Sequence, residues 1–145
     1  MSAAGGEARG GEAPSGRTAR VVALDYGSAR CGVAVSDPTG TLATPLDAIL
    51  RPNTRKGFNR LLAAIRAQEP ARVVVGLPLS LSGRDSAQTT EARLFAARLG
   101  AVLGLPVDLY DERFTTALAQ QRPGAAAEDS RAAAVLLEDW LARSP

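Results

Sequence analysis

A chain of 145 residues with a formal net charge of +2 is expected to form one domain, large enough to bury a core without disulfides or a structural metal. It contains no histidine and a single cysteine, which excludes Ser-His-Asp and Cys-His catalysis, His-ligated zinc and an internal disulfide. Catalysis is left to carboxylates, with or without a divalent metal, aided by hydroxyls and arginines. Lys56 is the only lysine, so there is no GxxxxGK[ST] phosphate loop, and the arginine-rich cations permit nucleic-acid binding without demanding it.

Residues 1–18 are mostly Gly, Ala, Ser and Glu with no apolar period, and are expected to be a disordered tail before a domain spanning 19–145. No apolar run approaches the ~20 residues of a membrane span and no charged leader with an apolar core is visible. A soluble cytoplasmic protein is therefore expected.

Val21, Val22, Ala23 and Leu24 are apolar on both faces of a strand over 20–25, so that strand belongs inside a sheet. Its far end delivers Asp25 to the rim of the core, where a carboxylate is usually paired, hydrogen-bonded or bound to metal. A tight turn through Gly27 and Ser28 leads to a strand over 30–36, in which Cys31 reads as a small buried hydrophobe. The turn signal Asp37-Pro38-Thr39-Gly40 precedes a third extended piece over 41–50. These connections are too short for crossover helices, so the opening is antiparallel.

Phe58, Leu61, Leu62 and Ile65 lie at helical spacing and predict a helix over 54–68, capped by Asn53 or Thr54 and ended by Pro70. Val73 to Val75, stopped by Gly76-Leu-Pro78, reads as a buried strand. A loop with Ser80, Ser82 and Arg84 leads to a helix over 86–103, with Ala92, Phe95, Ala96, Leu99 and Val102 inward and Gly104 and Pro106 closing it. A strand over 107–110, a short helix over 115–121 and a final helix over 131–142 complete the chain. That last helix is expected to bury Val135, Leu136, Trp140 and Leu141. The order is that of an α/β domain with a mixed sheet, and such sheets place ligands outside the carboxyl ends of their strands.

Asp25, Glu112 and Asp129 are the acidic residues best placed for chemistry. Clustered carboxylates that hold Mg²⁺ or Mn²⁺ can hydrolyse a phosphodiester without histidine. Each also has a structural role open to it: Asp25 can satisfy turn amides, Glu112 can sit in an exposed ion-paired turn beside Asp111 and Arg113, and Asp129 can cap the final helix. Arg30, Arg113, Thr115 and Thr116 neighbour the acidic groups and are candidates to hold phosphate oxygens. Ser36, Ser80, Ser82 and Arg84 are weaker candidates for the same work, and Tyr26 can stack on a base or pack at its strand end.

Four blocks in order carry a resemblance over residues 20–142. They are Ala23-Leu-Asp25-Tyr-Gly27 with Arg30-Cys-Gly32-Val-Ala34-Val-Ser36, then Val74-Val-Gly76-Leu-Pro78, then Asp111-Glu112-Arg113-Phe-Thr115-Thr116, and finally Asp129-Ser130 with Ala133 and the apolar helix after it. The chain resembles the YqgF, or RuvX, family, described both as Holliday junction resolvases and as nucleases that process pre-16S rRNA. The resemblance implies a ribonuclease-H-like fold, with a five-stranded mixed sheet whose first three strands are antiparallel, flanked by helices. It implies that Asp25, Glu112 and Asp129 match the family's metal-binding triad for Mg²⁺ or Mn²⁺. The implied partner is nucleic acid, either the 5′ end of pre-16S rRNA or branched DNA, met by a monomer or a homodimer. The family usually carries a longer, basic loop before Asp129 than the Gln120-to-Glu128 stretch here, and Asp111 is an alternative ligand to its neighbour Glu112. Two other classes compete: a non-catalytic nucleic-acid-binding module, and a phosphotransferase in which Asp25-Tyr-Gly27-Ser28 acts as a phosphate loop of the actin and sugar-kinase type.

Overall fold

The computed structural model describes residues 19–78, 86–111 and 130–143. The expected tail and the expected helix over 115–121 lie outside those residues. In chain order the elements are β1 (Val21–Tyr26), β2 (Arg30–Ser36), β3 (Ala43–Leu50), α1 (Arg55–Gln68), β4 (Arg72–Leu77), α2 (Ala87–Leu103), β5 (Val107–Asp111) and α3 (Arg131–Arg143). The five strands form one sheet in the order β3-β2-β1-β4-β5. β1, β2 and β3 pair antiparallel, while β4 and β5 join parallel to β1. The mixed sheet with an antiparallel opening is therefore as the short early connections and the later helical crossovers dictate.

The sheet is covered on both faces. On one, Val22, Leu24, Val33, Val73 and Val75 pack against Phe58, Leu61 and Ile65 of α1 and Phe95 and Leu99 of α2. On the other, Val21, Ala23, Ala34 and Val74 meet Ala133, Ala134, Leu136 and Leu137 of α3. The alanines on both partners of that second layer let α3 lie close to the sheet, and each fully buried leucine contributes about 1.5–3 kcal/mol.

Thr54 caps α1, its hydroxyl accepting from the Gly57 amide at 3.1 Å. Gly57 is required there, since a Cβ would stand 1.9 Å from the Arg51 carbonyl oxygen. Ser86 and Thr89 form a reciprocal capping box on α2, and Thr89 Oγ1 also donates to the Pro78 carbonyl at 3.0 Å, tying the helix start to the end of β4. Gly104 ends α2 at φ 68°.

Two expectations about helix faces are corrected. Val102 is 45% exposed: the buried row of α2 runs Ala92, Phe95, Ala96 and Leu99, and its continuation one turn on is Leu103, which packs against the core. In α3 the fully buried row is Ala133, Ala134, Leu136 and Leu137; Trp140 and Leu141 are half-buried and pack against that core, whereas Val135 is half-buried without joining it.

Candidate functional site

Asp25 is the fifth of six residues in β1, half-buried at the carboxyl end of the sheet. Alternation along the strand puts its side chain on the α3 face with Val21 and Ala23, and Tyr26 on the other. Its cross-strand partner on β2 is Gly32. On the other side, Leu24 lies opposite Val75, so the next step brings Gly76 of β4 level with Asp25. Both flanking positions are buried glycines. Neither flanking position therefore contributes a Cβ beside the Asp25 side chain. A carboxylate at that strand end offers the oxygen donor type that Mg²⁺ or Mn²⁺ takes. The charge of Asp25 is felt by Cys31, whose thiol is buried and pushed well above its ordinary value, first by burial and then by that carboxylate. Cys31 is thus the inert core residue that the sequence suggested.

Helix α3 is pinned beside this rim. At the irregularity in β2–β3 pairing between Cys31 and Val33, the Val33 amide donates to Ser130 Oγ at 2.9 Å in a fully buried contact. Val33 follows Gly32, the partner of Asp25, so the first turn of the helix region is fixed next to the carboxylate's own row. Farther along, Glu138 accepts from the Ala43 amide at 3.0 Å, and Tyr110 donates to Asp139, which also pairs with Arg143. These contacts hold α3 to β2, β3 and β5 at once. Burial and then Asp139 push the Tyr110 phenol up to about 12.

Asp111 ends β5 opposite Leu77, on the face of Val73 and Val75. Tyr110 is level with Gly76 and so shares the face of Asp25. Asp25 and Asp111 accordingly point to opposite sides of the sheet. Arg30 opens β2 as an exposed residue on the far side of the turn from Asp25, with its carbonyl 3.0 Å from where a Cβ on Gly27 would be.

Glu112, Arg113, Thr115, Thr116 and Asp129 lie outside the described residues, as do Ser80, Ser82 and Arg84. Among the described residues no group of three or more acidic, histidine or cysteine side chains is arranged to hold a metal. Ser36 does not serve phosphate: its buried hydroxyl accepts from the Val21 amide at 2.9 Å and closes the β1–β2 pair. Tyr26 packs at its strand end, stacked on Phe95 with centroids 4.2 Å apart and donating to Glu91 at 2.8 Å.

Residues 19–143 match a protein-family model described as RuvX: Holliday junction resolvase. The chain belongs to the RuvX family. Relatives within it include a protein of Koribacter versatilis, 48% identical over 71% of this chain and 67% of its own length, and one of Maridesulfovibrio salexigens, 37% identical over 86% and 99%. Both carry names that propose a pre-16S rRNA nuclease. Among solved structures, RuvC of Thermus thermophilus in complex with a Holliday junction substrate aligns with a TM-score of 0.55 and 16% identity, over 87% of this chain and 96% of that one. Another structure of RuvC from the same organism aligns with the same TM-score at 18% identity. These likenesses establish the ribonuclease-H-like fold, and with the relatives they make this RuvX protein a member of a nuclease family.

Two parts of the site escaped sequence reasoning. The paired glycines around Asp25 become visible only with strand register. The role of Ser130 requires a contact 97 residues away along the chain. Its place directly before an apolar helix gave no sign of that distant partner.

Proposed function

We propose that this RuvX protein is a divalent-metal-dependent nuclease that hydrolyses phosphodiester bonds at the 5′ end of pre-16S rRNA, in the cytoplasm, with Asp25, Glu112 and Asp129 as metal ligands. The position of Asp25 carries the reading: a half-buried carboxylate at the carboxyl end of a central strand, flanked by glycines. The contact between Ser130 and Val33 ties the residue that follows Asp129 in the chain to the strand beside Asp25, which supports Asp129 as its partner. Alternation along β5 favours Glu112 over Asp111, which belongs to the opposite face. RNA as the substrate is supported by the names of the relatives.

Bound Mg²⁺ or Mn²⁺ supplies Lewis acidity, activating water and neutralising charge on the leaving oxygen. The chain's part is to hold Asp25 at the end of a buried sheet, beside which the α3 anchors fix the helix. Arg30, Arg113, Thr115 and Thr116 are proposed to orient the phosphate through hydrogen bonds. Branched DNA is the second substrate to consider, favoured by the shared fold with RuvC, which was solved on a Holliday junction. The test is cleavage of a pre-16S rRNA fragment and a four-way DNA junction side by side, with Mn²⁺, Mg²⁺ or excess EDTA. Metal-dependent trimming of the RNA is expected, and products that persist in EDTA would overturn the proposal.

A further inference from the structure

On the sheet face opposite Asp25 lies a pocket of about 180 Å³ lined by Tyr26, Asn53, Glu91, Leu94, Phe95 and Arg98. Its walls come from the end of β1, the turn before α1 and the outer side of α2. Three features set it apart from an ordinary surface dimple. Leu94 is 67% exposed at its edge, an apolar surface that the fold does not use. The Arg98 guanidinium is held 3.8 Å over the Phe58 ring, which in turn meets Phe95 edge-on at 6.0 Å, so the cation is positioned rather than loose. Glu91 accepts the Tyr26 hydroxyl through Oε2, which fixes the carboxylate and leaves Oε1 as a second acceptor.

The volume excludes most ligands. Sites for drug-sized molecules run to about 300–1,000 Å³, so this one has room for a single small ring system. The polar lining pairs an acceptor, Glu91, with two donor-bearing side chains, Arg98 and Asn53, around an apolar edge. A flat heterocycle presenting N–H donors beside a carbonyl acceptor complements that set, and among nucleobases guanine has that edge. Around the pocket, Arg51, Arg55, Lys56 and Arg60 are exposed on the same turn and helix that supply Asn53, an electropositive surface suited to the phosphates on either side of a base. Tyr26 is also the residue after Asp25, so the pocket begins one residue from the rim.

We propose that this pocket takes one unpaired guanine of the substrate strand, with the flanking phosphates on the arginines around Asn53. The proposal rests on the nuclease reading for its substrate, and deepens it with a base preference. Stacking against Leu94 and hydrogen bonds to Glu91, Asn53 and Arg98 hold the base, as single-stranded nucleic acids are commonly read.

The test measures binding rather than cleavage. Fluorescence anisotropy of the full chain in excess EDTA compares a labelled uridine hexamer with one carrying a single central guanosine. The wild type is expected to bind the guanosine hexamer about tenfold more tightly, the size of discrimination that a bidentate contact supplies. Glu91→Gln keeps an acceptor for the Tyr26 hydroxyl, so its melting temperature is expected to hold, but it replaces the second acceptor with a donor and should erase the preference. Leu94→Glu, at an exposed position, should weaken both hexamers about tenfold by bringing negative charge to the edge. Equal affinity for the two hexamers, binding of neither, or a preference that survives Glu91→Gln would overturn the proposal. A protein that discriminates guanosine yet cleaves nothing with metal would sink the nuclease reading alone; one that cleaves without discriminating would sink the pocket alone.

Discussion

Ser130 and Val33, 97 residues apart in sequence, share one fully buried hydrogen bond of 2.9 Å that fastens the start of α3 to the strand beside Asp25. Ser130→Ala leaves the Val33 amide without its acceptor in a site that water does not reach. A loss of about 1–3 kcal/mol in unfolding free energy is expected, measured by urea denaturation. The same variant should lower cleavage more than an equally destabilising change in α1, because it loosens the helix next to the proposed ligands. An unchanged urea midpoint would show that the contact holds nothing.

Gly57→Ala is expected to cost about 3 kcal/mol, since its Cβ falls 1.9 Å from the Arg51 carbonyl oxygen and 2.6 Å from that of Leu50. Backbone cannot yield there as a flexible side chain would. Gly100→Ala is the contrast: the nearest atom to its Cβ would be a Val107 methyl at 3.2 Å, with backbone no closer than the Leu105 carbonyl at 3.7 Å, and a helical alanine regains about 1 kcal/mol over glycine. Thermal melts of the two variants should separate clearly, and equal melting temperatures would contradict the packing described for the turn before α1.

Stability should decline at high pH. Tyr110 titrates at about 12 in the folded chain against an ordinary 10.0, through burial and its bond to Asp139. Between those values the unfolded chain has lost a proton that the folded chain keeps, so stability that is full below pH 10 drains away as pH rises. Tyr26 and Cys31 are shifted upward as well, each first by burial, and act with the same sign. Tyr110→Phe should melt lower at neutral pH, having lost the bond, yet show a shallower decline between pH 10 and 12. A decline as steep as that of the wild type would rule out Tyr110 as a contributor.

Of the adjacent acids at the end of β5, Glu112→Gln is expected to reduce metal-dependent cleavage at least a hundredfold, whereas Asp111→Asn retains activity within a few-fold. Asp111 belongs to the sheet face away from Asp25. The reverse outcome would assign the ligand to Asp111 and would require a break in the alternation of β5.

Much of this fold could be read in the chain because its signals are local. The apolar runs of β1 and β4 and the Phe58, Leu61, Leu62, Ile65 spacing of α1 each need only a few neighbouring residues to be recognised. Asp25 stood out for the same reason, as a charge at the end of a strand apolar on both faces. What escaped was non-local. Val102 and Leu103 are adjacent and both apolar, and only the position of the sheet decides that Leu103 packs and Val102 faces outward. Gly32 and Gly76 read as a strand residue and a stop signal, yet register sets them on either side of Asp25. The pocket at Glu91 draws on three separate elements and left no motif.

Asp25→Asn tests the central claim most directly. The substitution removes the carboxylate charge but keeps the shape of the side chain between Gly32 and Gly76. With purified protein, Mn²⁺ and a pre-16S rRNA fragment, cleavage is expected to fall at least a thousandfold while the melting temperature stays within a few degrees of the wild type. Cleavage at the wild-type rate by a folded Asp25→Asn protein would contradict the metal-dependent carboxylate centre.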